Sequence, residues 1–253
     1  VTDSTGHTRF ATYKYKADFP EAGPPLKQAE AFYPPPGFND REHRAVAIAV
    51  DVYGNVYVTG AAQRPLSNNY DYLTIKYNQN LVPMWSSPAW YDYANADDKP
   101  SDIALFLDGS VVVTGTSHGG DSGTGDDITT VLYDPNGNLS TAWPVLPEPG
   151  AGVAGVRRYD SAMGPDSGVE LVTPRLANPE GVYHVVVTGT SYGGASTNFD
   201  YVTLRNGIFG SSLPAAGGWV SRFNSAGANA DHCAGISVDD LFSAVMVTGR
   251  SPH

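Results

Sequence analysis

The residues best suited to chemistry in this chain are its carboxylates. The stretch Gly120-Asp121-Ser122-Gly123-Thr124-Gly125-Asp126-Asp127 sets three aspartates among permissive glycines. Closely spaced carboxylates on such a backbone can wrap a hard cation, so Asp121, Asp126 and Asp127 are candidate Ca2+ ligands. The stretch lacks the spacing and terminal Glu of an EF-hand, and a solvated turn is the plainer reading of the same residues. Asp51, Asp108 and Asp239 recur at the end of an apolar run, where Asp caps a hairpin by accepting from nearby backbone N–H groups.

Other chemistry is less marked. His7, His43, His118, His184, His232 and His253 include no His-x-x-x-His pair of the kind that ligates zinc. His7 and His118 fall in equivalent loops, which places them on one face. The chain has no Gly-x-Ser-x-Gly elbow, no phosphate loop and no Ser-x-Asp-x-Gly-x-x-Trp box. Glycoside hydrolysis needs a pair of carboxylates, and nothing singles out two of the many acids. No catalytic residue is assigned. Asn138-Leu139-Ser140 fits a glycosylation sequon. The single Cys233 excludes an internal disulfide and fits a small buried position.

Most of the conspicuous residues recur, and the recurrence defines the elements that carry them. Val-Thr-Gly occurs at 58–60, 113–115, 187–189 and 247–249. A second pattern follows at Asp71-Tyr72-Leu73-Thr74-Ile75-Lys76-Tyr77, Asp127-Ile128-Thr129-Thr130-Val131-Leu132-Tyr133 and Asp200-Tyr201-Val202-Thr203-Leu204-Arg205-Asn206. Its fourth copy, Arg9-Phe10-Ala11-Thr12-Tyr13-Lys14-Tyr15, stands near the front. Gly60 to Thr74, Gly115 to Thr130 and Gly189 to Thr203 are separated by 14, 15 and 14 residues. Such repetition decides the architecture before local propensity does.

The best-preserved unit predicts four strands. Ala45 to Val50 is small and apolar, as suits an innermost strand around an axis. Gly54-Asn55 supplies a tight hairpin into Val56 to Gly60. Tyr72 to Tyr77 alternates, and Leu81 to Trp85 is the expected outer strand. Trp143 and Trp219 hold the matching outer position, and the threonines repeated in every unit are expected to bond between blades or to loops.

The expected fold is therefore all-β: a β-propeller of four blades, each of four antiparallel strands, with the last blade shared between N- and C-terminal strands. The units span about 44–90, 100–143, 168–220, and 232–253 completed by 1–20, in one domain over 1–253. Proline-rich insertions at 20–38 and 144–168 are expected to be irregular, because such runs do not join a ladder. The shared blade closes either within one chain or on a neighbouring copy, which would build a polymer.

Composition bounds the partners. Of 253 residues only 16% are charged, and the net charge of −11 leaves no basic footprint for nucleic acid. No apolar run reaches the roughly 18 residues needed to span a bilayer as a helix. Low charge with abundant Thr, Asn and Tyr points to an extracellular surface.

The run Ala47-Ile48-Ala49-Val50-Asp51-Val52-Tyr53-Gly54-Asn55-Val56-Tyr57-Val58-Thr59-Gly60, with Asp71 to Tyr77 and Trp85, resembles the bacterial SBBP-type β-propeller repeat family. The later units match with decay, and four repeats are fewer than the seven blades of that family. The resemblance implies a secreted or cell-surface protein of the scaffold or adhesion kind. The expected function is a non-catalytic structural or interaction module that assembles with itself into a filament or array by strand sharing. A polysaccharide hydrolase or lyase, and a glycan-binding lectin, are the alternatives.

Overall fold

The computed structural model describes residues 2, 6–16, 26–35, 41–65, 67–119, 125–143, 153–161, 164–173, 183–194, 198–208, 219–225, 230–239 and 244–251. Every regular element among them is a β-strand. In chain order these are β1 (Phe10–Tyr15), β2 (Lys27–Tyr33), β3 (His43–Val50), β4 (Val56–Gln63), β5 (Tyr70–Tyr77), β6 (Ala89–Tyr91), β7 (Asp98–Leu105) and β8 (Val111–His118). They continue as β9 (Asp126–Tyr133), β10 (Val156–Tyr159), β11 (Asp166–Val172), β12 (Tyr183–Tyr192), β13 (Phe199–Ile208), β14 (Trp219–Phe223), β15 (His232–Asp239) and β16 (Ala244–Arg250).

Three antiparallel sheets of four strands follow one another: β3-β4-β5-β6, β7-β8-β9-β10 and β11-β12-β13-β14. Their registers coincide. Thr59 lies opposite Thr74, Thr114 opposite Thr130 and Thr188 opposite Thr203. Hairpin chemistry is as expected at the first turns: Asp51 accepts from the N–H groups of Tyr53 and Asn55, and Gly54 takes φ 80°.

The remaining strands form two separate two-stranded sheets, β1-β2 and β15-β16. Each is half of the same unit. In β15-β16 a bulge between Cys233 and Gly235 repeats the bulges of β3, β7 and β11, so this is an inner half. In β1-β2, Thr12 faces Ala31 and Phe10 faces Tyr33, as Thr74 faces Ala89 and Tyr72 faces Tyr91, so this is an outer half. Among the described residues no ladder joins β1 to β16. The two halves sit at opposite ends of the succession, β1 against β3 and β15 against β11, and the described residues do not close into a ring.

Several boundaries differ from the sequence reading. The outer strand of the first unit is β6, not Leu81 to Trp85. Leu81 turns at φ 60°, and Trp85 leaves the sheet, its indole N–H donating to the carbonyl of Pro135 at 2.9 Å. Two strands fall inside the expected irregular insertions, β2 within 20–38 and β10 within 144–168. The prolines there stand outside these strands, leaving Lys27–Tyr33 and Val156–Tyr159 free to pair. Ile48 and Val50 on the first inner strand are exposed instead of crowded about an axis.

Successive sheets pack face to face over three apolar clusters. One lies around Phe10, Val58 and Leu73, the next around Tyr72, Ile103 and Val113, and the third around Ile128, Val187 and Val202. One contact recurs at every junction. The inner-strand bulge drives a carbonyl against the Val-Thr-Gly glycine, so that a Cβ there would lie 2.1 Å from the Arg44 oxygen at Gly60, 2.2 Å from Lys99 at Gly115, 2.3 Å from Ser167 at Gly189 and 2.2 Å from His232 at Gly249. From the other side each glycine receives a side chain of the preceding sheet: Phe10, Tyr72, Ile128 and Tyr201 in turn.

Gly115→Ala is expected to cost about 3 kcal/mol, because both neighbours of the new methyl are fixed. Urea unfolding should show a lower midpoint at unchanged slope. A loss below about 0.5 kcal/mol, the range of neutral surface changes, would show that the close approach does not constrain this position.

Candidate functional site

The threonines repeated in each unit are mainly intra-sheet ties. Thr59 and Thr74 hydroxyls meet at 3.0 Å and Thr114 and Thr130 at 3.1 Å, all buried between neighbouring strands of one sheet. The expected bond between blades occurs once in this set, where Thr188 reaches the buried Sγ of Cys233 at 3.0 Å.

Of the proposed cation ligands, Asp121 lies outside the described residues. Asp126 and Asp127 are consecutive in β9 and therefore point to opposite faces. Asp126 is exposed and pairs with Nδ1 of His118 at 2.7 Å. Asp127 is buried and pairs with Nη2 of Arg158 at 2.6 Å. The Thr8 hydroxyl is the main cause that lowers the Glu42 pKa, with Arg44 and then His7 adding to it, whereas His118 engages Asp126. Among the described residues no three-membered cluster of metal-capable side chains contains a histidine.

Asp127 belongs to a different group from the one the loop sequence indicated. It meets Asp160, just beyond β10, and Asp166, which opens β11; one ligand oxygen of each lies within 4.8 Å of the others. Asp71, Asp92 and Asp98 form the same constellation one junction earlier, to the same 4.8 Å. Each group has an aspartate from the third strand, one after the fourth, and one from the inner strand of the next sheet. The inner-strand member caps the connecting loop: Tyr93 N–H donates to Asp98 at 2.7 Å and Ser161 N–H to Asp166 at 2.7 Å.

An arginine pairs with the third-strand aspartate of each group. Arg64 pairs with Asp71 at 2.6 Å from the β4-β5 connection. Arg158 pairs with Asp127, donates to the Ser117 hydroxyl at 2.6 Å and lies 3.7 Å over the ring of Tyr93. Three carboxylates are thereby gathered in a place where two of the three are buried. Burial is accordingly the leading cause that pushes Asp98 up to about 7, with Asp71 and Asp92 adding to it against Ser117 and the Tyr93 N–H. Burial likewise pushes Asp71 up to about 6 despite Arg64, and Asp127 up to about 6 despite Arg158. Asp166 is raised by burial too. Groups so placed share protons or accept a cation.

The third junction provides a contrast. Asp200 pairs with Arg222 at 3.1 Å, and Asp231 opens the last inner half, but Asn224 stands where Asp92 and Asp160 stand. Asp231 takes the Ser225 N–H at 2.7 Å and the Ser225 hydroxyl at 2.9 Å. Burial alone would raise it; the bonds from Ser225 and Ser251 outweigh that and lower it.

Sequence reasoning passed over these groups because their members lie 27 residues apart, Asp71 to Asp98, or 39, Asp127 to Asp166. The available signal was the aspartate three residues before the threonine of the third strand in three of four units. No protein-family model matches this chain, and no curated protein sequence matches it.

Folded Asp98 holds its proton to about pH 7, against 3.8 unperturbed. The folded chain thus binds the proton more tightly than the unfolded chain, and this group's contribution to stability falls as pH rises through that window. Asp98→Asn removes the dependence. In chelator-treated protein, calorimetry should find the variant's Tm gaining on the parent between about pH 4 and about pH 7. A difference that does not vary with pH would contradict the assignment.

Proposed function

We propose that this chain is a non-catalytic β-propeller module of SBBP-like repeats, secreted or displayed at a cell surface, whose open halves join copies into a filament or array. The carrying observation is a set of apolar positions buried within the succession of sheets and uncovered only at its two ends. Ile48 is 60% exposed, while its equivalents Ile103, Leu171 and Ile236 are 6%, 4% and 8% exposed. Met246 is 53% exposed, against 0%, 0% and 2% for Tyr57, Val112 and Val186. Tyr13 is 40% exposed, against 4%, 0% and 6% for Ile75, Val131 and Leu204.

All three are covered by one event. The β15-β16 half of a second copy lies beside β1, with Thr248 opposite Thr12 as Thr59 is opposite Thr74, and β15 then rests on Ile48. The free edge of β16 gains a partner, and strand addition supplies main-chain hydrogen bonds together with side-chain register. Burying Ile48 or Met246 fully is worth about 1.5–3 kcal/mol each. Because the contact is head to tail, it propagates unless rotation closes it.

Light scattering coupled to size-exclusion chromatography should show mass rising with protein concentration, and Met246→Lys should return the chain to monomer. Mixed Thr12→Cys and Thr248→Cys chains should form an interchain disulfide under mild oxidation. A monomer at every concentration, with no interchain cross-link, would defeat strand sharing; a cross-link formed only when both cysteines share one chain would replace it with ring closure.

A further inference from the structure

The buried carboxylate groups go beyond what a scaffold of stacked sheets requires. Asp71 and Asp98 are fully buried, and Asp127 and Asp166 are 1% exposed. Burying ionised groups costs heavily unless each oxygen is answered. Here it is not: Oδ1 of Asp98, Asp127 and Asp166 meets no donor at full hydrogen-bonding geometry, although the Ser117 and Ser191 hydroxyls lie near enough to Asp98 and Asp166 to oppose the effect of burial. These unanswered oxygens belong to groups whose ligand atoms converge to within 4.8 Å. Two ligands of one Ca2+ ion are at most about twice the roughly 2.3–2.6 Å metal–oxygen distance apart, so that spacing suits a single hard cation.

We propose that the triads Asp71/Asp92/Asp98 and Asp127/Asp160/Asp166 are two equivalent sites for a hard divalent cation of the Ca2+ class, one clamping each junction between complete sheets. The arrangement favours calcium over softer metals because every ligand is a carboxylate oxygen and, among the described residues, no histidine or cysteine joins them. Each site draws ligands from two sheets, two from the earlier and one from the inner strand of the later. An ion there ties sheet to sheet. The third junction marks the rule from the other side: with Asn224 in place of the second aspartate, Asp231 is satisfied by Ser225 on both oxygens. The loop aspartate therefore separates a junction where three carboxylates converge from one that keeps two, where Asp231 is satisfied and Oδ1 of Asp200 is left unanswered.

The test uses the whole chain, stripped of metal with a chelator and titrated with Tb3+ as a luminescent stand-in for Ca2+. Tyr93, whose N–H donates to Asp98 and whose ring lies under Arg158, is placed to sensitise emission. Two Tb3+ ions per chain are expected, displaced by excess Ca2+, with Ca2+ alone raising Tm at neutral pH. Asp92→Asn and Asp160→Asn change the members outside the fully buried set, so these chains should fold. Each should lose one ion, and the double variant should weaken Tb3+ affinity at both sites about tenfold or more. Asp126→Asn, at the exposed His118 pair, should change nothing. Unsensitised Tb3+ with no rise in Tm, or binding that survives the double variant, would overturn the proposal. Binding abolished by Asp126→Asn alone would overturn it in favour of the 120–127 loop.

Discussion

The sheets of this protein hold their mutual positions through a contact that leaves no space for one atom. At each Val-Thr-Gly glycine a bulged carbonyl presses from the sheet's own inner strand and a side chain presses from the sheet before it. The bulge and the glycine require each other. Without the bulge the carbonyl would not approach; with a Cβ in place it could not. The incoming side chain varies among Phe10, Tyr72, Ile128 and Tyr201, since the position asks only for bulk. In the three complete sheets the threonine beside the glycine faces its counterpart on the third strand, which fixes register. Fold and repeat motif are thus one constraint seen at two scales.

Charge is arranged around the same junctions. The outer-strand position opposite Leu73, Thr129 and Val202 is occupied by Trp90, Arg158 and Arg222 respectively. Where it is arginine, the guanidinium turns to the third-strand aspartate, Asp127 or Asp200. Where it is tryptophan, Arg64 comes from the other side to meet Asp71 and lies 5.0 Å over the Trp90 ring. The requirement for a cation near that aspartate is met by two different routes. A substitution at the outer strand is offset by a residue on another connection, as expected if the carboxylate and not the arginine is the fixed element.

Much of the fold was legible in the sequence because the informative residues are backbone-determined. Glycines at close approaches, Asp51 at its hairpin and the alternation of Tyr72 to Tyr77 each follow from local geometry. The outer strands were not legible. β6 has three residues and β10 four, too few for periodicity, and Trp85 offered a more conspicuous but misleading anchor. β2 was hidden by flanking prolines that end a strand without preventing one. The carboxylate groups were hidden for a different reason. Each aspartate reads locally as a turn or strand residue, and only the stacking of one sheet on the next brings three together. Asp127 was singled out with Asp126, its neighbour in sequence, when its neighbours in space are Asp160 and Asp166.

The junctions also differ along the chain in a way that separates the two proposed roles. In a stacked repeat each unit touches only its neighbours, so each junction has its own energy. The two inner junctions hold three carboxylates, and the third holds two with Asn224. At the junction that precedes all of these, between β2 and β3, the equivalent places are taken by Arg9, Pro34 and His43. No acidic group is therefore split between copies when a second β15-β16 half joins β1: every carboxylate of a triad comes from within one chain. Cation binding stiffens the middle of the stack, whereas strand sharing depends on apolar faces at its ends. Changing the ion supply should alter the stability of each copy while leaving the complementarity of the edges intact, so the two properties are separable by mutation even though they reside in one continuous set of repeats.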